Sequence, residues 1–273
     1  MAELIIEHGR SEKNYWADLW RFRELFYFLA WRDILVRYKQ TVVGVAWAVV
    51  RPFLTMVILT IVFSRVAKLS SVGTAPYAIM VMAGMLPWQF ISTSVSASSE
   101  SLVGNSNLIS KIYFPRIIVP FSSIVTNFVD FLITVVLMAA MMGWYRFAPD
   151  WRLLFLPLFI LLSIACSFGV GLWLSALMVE YRDVRHIVPF IVQFGMYVSP
   201  VGFSSDVVPE KWRLLYSLNP VVGIIDGFRW SLMRGEMNLR VSAILVSMAV
   251  TSVFIVGGIW YFRKTEKTFA DVI

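Results

Sequence analysis

The chain has 273 residues, 59% of them hydrophobic and 15% charged, and its 24 Lys and Arg against 17 Asp and Glu give a formal net charge of +7. A soluble domain of this length needs more polar surface, so the excess apolar area must face lipid. The cations flank apolar runs instead of forming a stripe, which points to orientation in an anionic-lipid membrane and not to nucleic acid.

Eleven Trp and ten Tyr fit the aromatic belts at the two membrane interfaces. The first forty residues are charged and aromatic, with no early apolar core, so no signal peptide is expected. From Trp16 to Lys39 the apolar positions Leu19, Phe22, Phe26 and Leu29 recur at helical spacing, while Asp18, Arg21 and Arg32 fall elsewhere. This stretch is expected to be an interfacial helix within a cytoplasmic segment 1–41; packing on a soluble partner is the alternative.

Val42–Ser64 is the first expected span, with Arg51 and Pro52 inside it, and Ala75 to about Ser96 is the second. Gly104–Pro120 follows as a short amphipathic segment, preceded by Ser98–Ser101 and broken by Pro115, so a brief helix with a hard stop is expected. It carries Lys111 and Arg116 on either side of Tyr113 and Phe114, which suits docking to a soluble partner; an ordinary connecting loop is the alternative. The third span is Ile117–Trp144, bearing Asn127 and Asp130; the fourth is Leu153–Met178; the fifth, after the charged loop Glu180–His186, is Ile187–Phe203. The amphipathic stretch Val207–Leu218 and the thirteen-residue apolar run Val221–Met233 are too short to span and form an expected re-entrant pair within 206–237. Val241–Phe262 is the sixth span, before the polar tail 263–273.

Six spans over 42–262 place both termini on one side. That side carries Arg10, Lys13, Arg21, Arg23, Arg32, Arg37, Lys39, Lys111, Arg116, Arg182, Arg185, Arg263, Lys264 and Lys267, whereas the opposite short loops hold Arg65, Lys68, Arg146 and Arg152. The cation-rich side, with both termini and the Gly104–Pro120 segment, is therefore expected to be cytoplasmic, and the re-entrant pair to face outward.

Catalytic constellations are scarce. His8 and His186 have no metal-ligand spacing with the lone cysteine, Cys166, and no metal site is expected. No GxxxxGK[ST] phosphate loop occurs, so the chain is expected to be no enzyme and to have no ATPase site of its own. Asn127 and Asp130, three apart, share a helical face and suit hydrogen bonds to a neighbouring helix. Gly223–Gly227 formally matches GxxxG, a weak dimerisation signal with an Asp between its glycines. Arg51 lies about a third of the way into its span, suiting either a snorkelling anchor or a headgroup ligand. Arg37, Lys39 and Arg51 gather near the junction of the interfacial helix and the first span, a candidate anion site against a positive-inside anchor. Phe190, Phe194 and Tyr197 stack along one face of the fifth span, which suits filling of a dimer or helix–helix interface.

Taken together these features resemble the transmembrane subunits of ABC exporters for polysaccharides and polyol phosphates, of the O-antigen, capsule and teichoic-acid type. The resemblance is carried by Gly44, Trp47 and Pro52; by Gly84, Pro87 and Trp88 in GMLPWQF; by Lys111–Pro120, KIYFPRIIVP; by Tyr181, Arg182 and Asp183 with Ser199 and Pro200; and by Leu218, Asn219, Pro220 and Arg229. Arg51 departs from it, at a position usually uncharged.

The resemblance implies an all-α membrane protein: six transmembrane helices, an N-terminal amphipathic interfacial helix, a cytoplasmic coupling helix (101–116) between spans 2 and 3, and a re-entrant helical pair before span 6. It implies a homodimeric channel in a bacterial inner or plasma membrane, moving a lipid-linked, O-antigen-like glycan outward. ATP and Mg would sit on a separate ATPase subunit, with no cofactor in this chain. Lys111, Ile112, Tyr113, Phe114, Pro115 and Arg116 would couple to that ATPase, Tyr113 and Phe114 filling a pocket and Arg116 pairing with an acidic rim. Arg37, Lys39 and Arg51 would receive the lipid diphosphate, Phe190, Phe194 and Tyr197 would line the channel for sugar rings, and Asn219, Pro220, Asp226 and Arg229 would form the outward re-entrant gate. Alternatives are a permease for capsule, teichoic acid or a small molecule, a membrane enzyme acting on lipid-linked sugars, and a non-catalytic tether.

Overall fold

The computed structural model describes residues 15–39, 44–71, 73–237 and 239–269, and the side chains of Gly44 and Val45 lie outside the description. Expectations for residues 1–14, 40–43, 72, 238 and 270–273, including the start of the first span and the end of the tail, fall outside the described residues. Among the described residues the fold is helical, without strands.

The N-terminal stretch forms α1 (Tyr15–Arg21) and α2 (Arg23–Lys39). Phe22 interrupts them only nominally: its N–H donates to Asp18 O at 2.9 Å and its carbonyl accepts from Phe26 at 3.1 Å. Leu29 and Ala30 are buried, and Leu19, Phe22, Leu25 and Phe26 pack on a core cluster that includes Leu102, Ile118 and Phe262. The opposite face leaves Trp16, Trp20, Tyr27, Phe28 and Trp31 exposed.

Helix α3 (Gly44–Thr60) continues through a π-helical turn, Ile61–Val66, with Pro52 inside it. Helix α4 (Tyr77–Gly104) runs on past the expected end near Ser96. The serine-rich stretch does not cap a new helix because its hydroxyls bond back to the helix's own carbonyls: Ser96 to Ser92 O at 2.9 Å, Ser99 to Ser96 O at 2.7 Å and Ser101 to Ser98 O at 2.7 Å. What remains of the expected brief helix is one turn, α5 (Ser106–Ile109), followed by an irregular stretch to the start of α6 (Ile118–Trp144).

A 3-10 turn, Trp151–Phe155, capped by Asp150, leads into α7 (Leu156–Glu180). Helix α8 (Val184–Val198) has fifteen residues. It is about 22 Å long, short of a hydrocarbon core of roughly 30 Å, and Ser199–Phe203 continue it without helical structure. Among the described residues five segments are long and apolar enough to cross a membrane: Ala46–Val66, Tyr77–Gly104, Ile118–Trp144, Trp151–Glu180 and Val241–Thr268. The expected span Ile187–Phe203 is thus the short α8 plus an extended end. After it come α9 (Glu210–Tyr216), α10 (Pro220–Leu232) and α11 (Val241–Thr265).

Helix α4 is the axis of the bundle, touching α3, α6, α7, α8 and α10, while α7 also pairs with α11 and α2 lies along α6. Small residues permit these approaches: a Cβ at Gly169 would lie 2.6 Å from Ile255 N, and one at Gly171 would lie 2.6 Å from Ser98 Oγ. Both GxxxG glycines are used inside the protomer, Gly223 against Ser247 and Gly227 against Phe159.

Candidate functional site

Three regions collect the residues singled out from the sequence. The first is the α5–α6 junction. Lys111, Ile112 and Tyr113 are exposed, whereas Phe114 and Pro115 are buried. Phe114 joins the cluster of Leu29, Leu102, Ile109 and Phe262, so it anchors the loop and offers no docking area. Arg116 is turned inward as well: its N–H donates to Glu266 Oε1 at 2.8 Å and its Nη1 to Glu266 O at 2.5 Å, with its guanidinium over the Phe269 ring. The exposed knob is therefore Lys111–Tyr113, and Arg116 engages the chain's own C-terminal turn. Tyr15 completes the junction beneath the Arg263 guanidinium, which lies 4.8 Å from its ring centroid. Burial, then the charge of Glu266, holds the Tyr15 phenol well above the usual tyrosine range.

The second region lies between α2, α3, α4 and α6. Arg37 Nη1 donates to Asp130 Oδ2 at 2.5 Å and to Asn127 Oδ1 at 3.1 Å, and the Tyr38 hydroxyl donates to Asp130 Oδ1. Asn127 and Asp130 thus bond a neighbouring helix, and that helix is α2. Burial, then the bond to Asp130, raises the Tyr38 phenol, which keeps it a donor. Arg32 adds a bond to Asn105 Oδ1 at 2.9 Å, and Phe26 stacks on Phe121 at 5.1 Å. A cavity of about 200 Å³ opens here, lined by Arg37, Tyr38, Trp47, Arg51, Gln89, Thr93, Asn127 and Asp130 among others. Arg37 and Arg51 are brought together at it; Lys39, exposed at the end of α2, is outside it.

The third region surrounds Arg229, which is fully buried. Its Nε donates to Met80 O at 3.1 Å, Nη1 to Phe203 O at 2.7 Å and Nη2 to Val201 O at 2.7 Å. Tyr77 OH donates to Gly202 O at 2.6 Å. Three consecutive carbonyls of the non-helical end of α8 are therefore satisfied by two side chains, which is what irregular backbone at membrane depth requires. Asn219 caps α10 by accepting from Val221 N at 3.1 Å and reaches Ser199 Oγ at 3.0 Å, with Pro220 at the first helical position. Asp226 is half-buried on α10, its Oδ1 without a hydrogen-bond partner. Asn219 and Arg229 thus both hold the turn that follows α8 to α10, while Pro220 and Asp226 lie on α10 itself.

On α8 the rings of Phe190 and Phe194 lie 4.3 Å apart, and these two and Tyr197 are exposed along one face of the protomer. The opposite face packs inward through Val184 and Val188, and Trp88 covers Gly195. Tyr15, Tyr38, Tyr77 and Glu266 escaped the sequence reading. Each acts on a residue 90 or more positions away, in the Tyr15–Arg263, Tyr38–Asp130, Tyr77–Gly202 and Arg116–Glu266 pairs, and no local pattern marks such partners.

Residues 24–233 match the family described as ABC-2 type transporter. Over 243 residues the chain is 28% identical to an O-antigen export system permease protein RfbA of Klebsiella pneumoniae, covering 89% of this chain and 92% of that protein. It is 27% identical over 262 residues to the protein of the same description from Myxococcus xanthus, covering 94% and 98%. Identity to the polysialic acid transport protein KpsM of Escherichia coli is 21% over 244 residues, covering 86% and 91%. With the family match extending from α2 through the Arg229 cluster, this integral membrane chain belongs to the ABC-2 type transporter family.

Proposed function

We propose that the chain is the permease subunit of an ATP-driven polysaccharide exporter, moving a lipid-linked, O-antigen-like glycan outward across a bacterial inner membrane. The observation that carries this is similarity along nine-tenths of both chains to O-antigen export permeases. In this reading the short α8, extended by Ser199–Phe203, is the fifth of six crossings and completes that count, and both termini are cytoplasmic; the cation asymmetry between the loops supports that orientation. Two copies form the conduit, with the exposed Phe190, Phe194 and Tyr197 stripe facing it, because flat C–H faces of sugars pack on rings and weak repeated contacts let a polymer slide.

ATP and Mg are bound by a separate ATPase subunit, and the exposed Lys111–Tyr113 knob fits its docking cleft as the coupling segment. Phe114 and Arg116 hold that knob to the membrane domain and pass its displacement to Glu266 and α1. Arg37 and Arg51 receive the lipid diphosphate from the cytoplasmic leaflet, α2 framing the lateral opening. Asn219, Pro220, Asp226 and Arg229 set the outward end.

Co-purification tests the assembly. The full chain should bring down an ATPase subunit carrying a phosphate-loop motif, and replacing Ile112 and Tyr113 with alanine should lose it while the protein stays inserted. Capture undiminished in that double variant, with export intact, would overturn the coupling assignment. A chain that captures no ATPase from its native membrane would overturn the exporter reading itself.

A further inference from the structure

The cavity between α2, α3, α4 and α6 has unequal charge. Arg37, Arg51 and Asp130 line it, two cations against one carboxylate, and among the described residues Arg51 has no ion-pair partner. Asp130 stands twelve residues into α6, about 18 Å from its first turn at 1.5 Å per residue. Arg51, exposed on α3 and in no ion pair among the described residues, is available to an anion. Gln89 lines the same cavity with a buried Oε1 that has no hydrogen-bond partner, so a ligand hydroxyl has an acceptor waiting.

A second cavity, of about 510 Å³, lies against it toward the Ile118 end of α6, lined by Arg32, Asp33, Ser123 and Thr126. Arg37 is the one residue common to both cavity walls. Its guanidinium is held there by Asp130 and Asn127. The Arg37–Asp130 pair is not sealed, its side chains being 39% and 35% exposed, so a ligand can reach it.

We propose that Asp130 is a resident counter-ion, displaced from Arg37 when a lipid-borne phosphate enters, so that the cavity is an anion-exchange site whose threshold Asp130 sets. This rests on the reading of a lipid-linked substrate. The shared chemistry of candidate ligands is phosphate on a lipid, either an ordinary phospholipid or a polyprenyl diphosphate. The two cations, Arg37 and Arg51, match the diphosphate, since each phosphoryl group then meets one guanidinium. Asp130 opposes occupancy by like charge and recaptures Arg37 on release, which keeps a transported headgroup from being trapped.

The test uses the full chain in phosphatidylcholine nanodiscs, with radiolabelled farnesyl diphosphate as the probe. Asp130→Asn should bind the probe about tenfold more tightly than the parent. Arg37→Gln should lose binding in either background, and Arg51→Gln should weaken it. Asn127→Asp, which adds a second carboxylate to the same guanidinium, should weaken binding and keeps the proposal testable should Asp130→Asn not fold. Unchanged or weaker binding by a folded Asp130→Asn protein, or unchanged binding by Asn127→Asp, would overturn the counter-ion role. Phosphatidylglycerol in the discs competing as well as added farnesyl diphosphate would overturn the diphosphate preference. The exporter reading fails separately, when no ATPase is captured although farnesyl diphosphate exchanges as expected.

Discussion

Helices α3 and α4 are neighbours in sequence and space, and they use opposite rules. Of the five spanning segments α4 is the least apolar, yet 83% of its most apolar window is buried, against 11% for the more apolar α3 segment. Serine and glycine in α4 let α6, α7, α8 and α10 approach closely, while Trp47, Phe53, Leu54 and Ile58 of α3 point outward. In a membrane, lipid is as apolar as a leucine, so apolarity marks the faces turned to lipid or to another subunit and small residues mark the packed core. The loop between α5 and α6 repeats the contrast over two residues: Phe114 is sunk in a core cluster and Tyr113 stands outside it.

The largest effect should follow from breaking the polar clamp on α4. Arg229→Met frees the buried carbonyls of Met80, Val201 and Phe203, at a cost of about 1–3 kcal/mol for each one left unsatisfied. Thermal melting of the detergent-solubilised protein should record that loss. Arg229→Lys should recover only part of it, since one ammonium does not reproduce the three-way fork. A melting temperature equal to the parent's would mean that α10 does not depend on this side chain.

Phe114→Ala should come next, at about 3 kcal/mol for a buried ring. Tyr113→Ala should cost under about 0.5 kcal/mol. ATPase capture should rank them the other way when normalised to folded protein, with Tyr113→Ala the more damaging. The same ranking in both measurements would erase the distinction between anchor and knob.

Gly84→Ala sharpens the picture of α4 as a close-packed axis. The new methyl would lie 2.7 Å from Arg229 Nη2 and 2.9 Å from Val201 O. A shift of the clamp is forced, at about 1–3 kcal/mol. Gly143→Ala meets nothing within 4 Å and serves as the matched control, expected near neutral.

The smallest stability effects belong to the open stripe on α8. Phe190→Cys, Phe194→Cys and Tyr197→Cys in a Cys166→Ala background should each shift stability by no more than about 0.5 kcal/mol. Water-soluble thiol reagents should label all three during ATP turnover. Labelling only by reagents that partition into lipid would place the stripe against membrane and remove it from the conduit.

Much of the architecture was legible in the chain because membrane physics is written in composition. Long apolar runs with flanking cations gave the spans at α3, α4, α6, α7 and α11, and the thirteen-residue run before the last span emerged as the non-spanning α10. Less legible was where helices stop. Serine hydroxyls that bond to their own helix carried α4 to Gly104, and Pro200 with its neighbours cut α8 short.

Sequence by itself determined that the chain is membrane-embedded, that Asn127 and Asp130 share a face, and that Arg37 and Arg51 lie near one helix junction. It could not tell that Asp130 binds Arg37, that Arg116 turns to Glu266, or that Arg229 holds the carbonyls of Val201 and Phe203. Those pairings join positions 26 to 150 residues apart. Helical periodicity specifies only which face a residue occupies. Which face meets which neighbour is decided when small residues on α4 and α7 let the helices close, and every buried polar group must then find its partner.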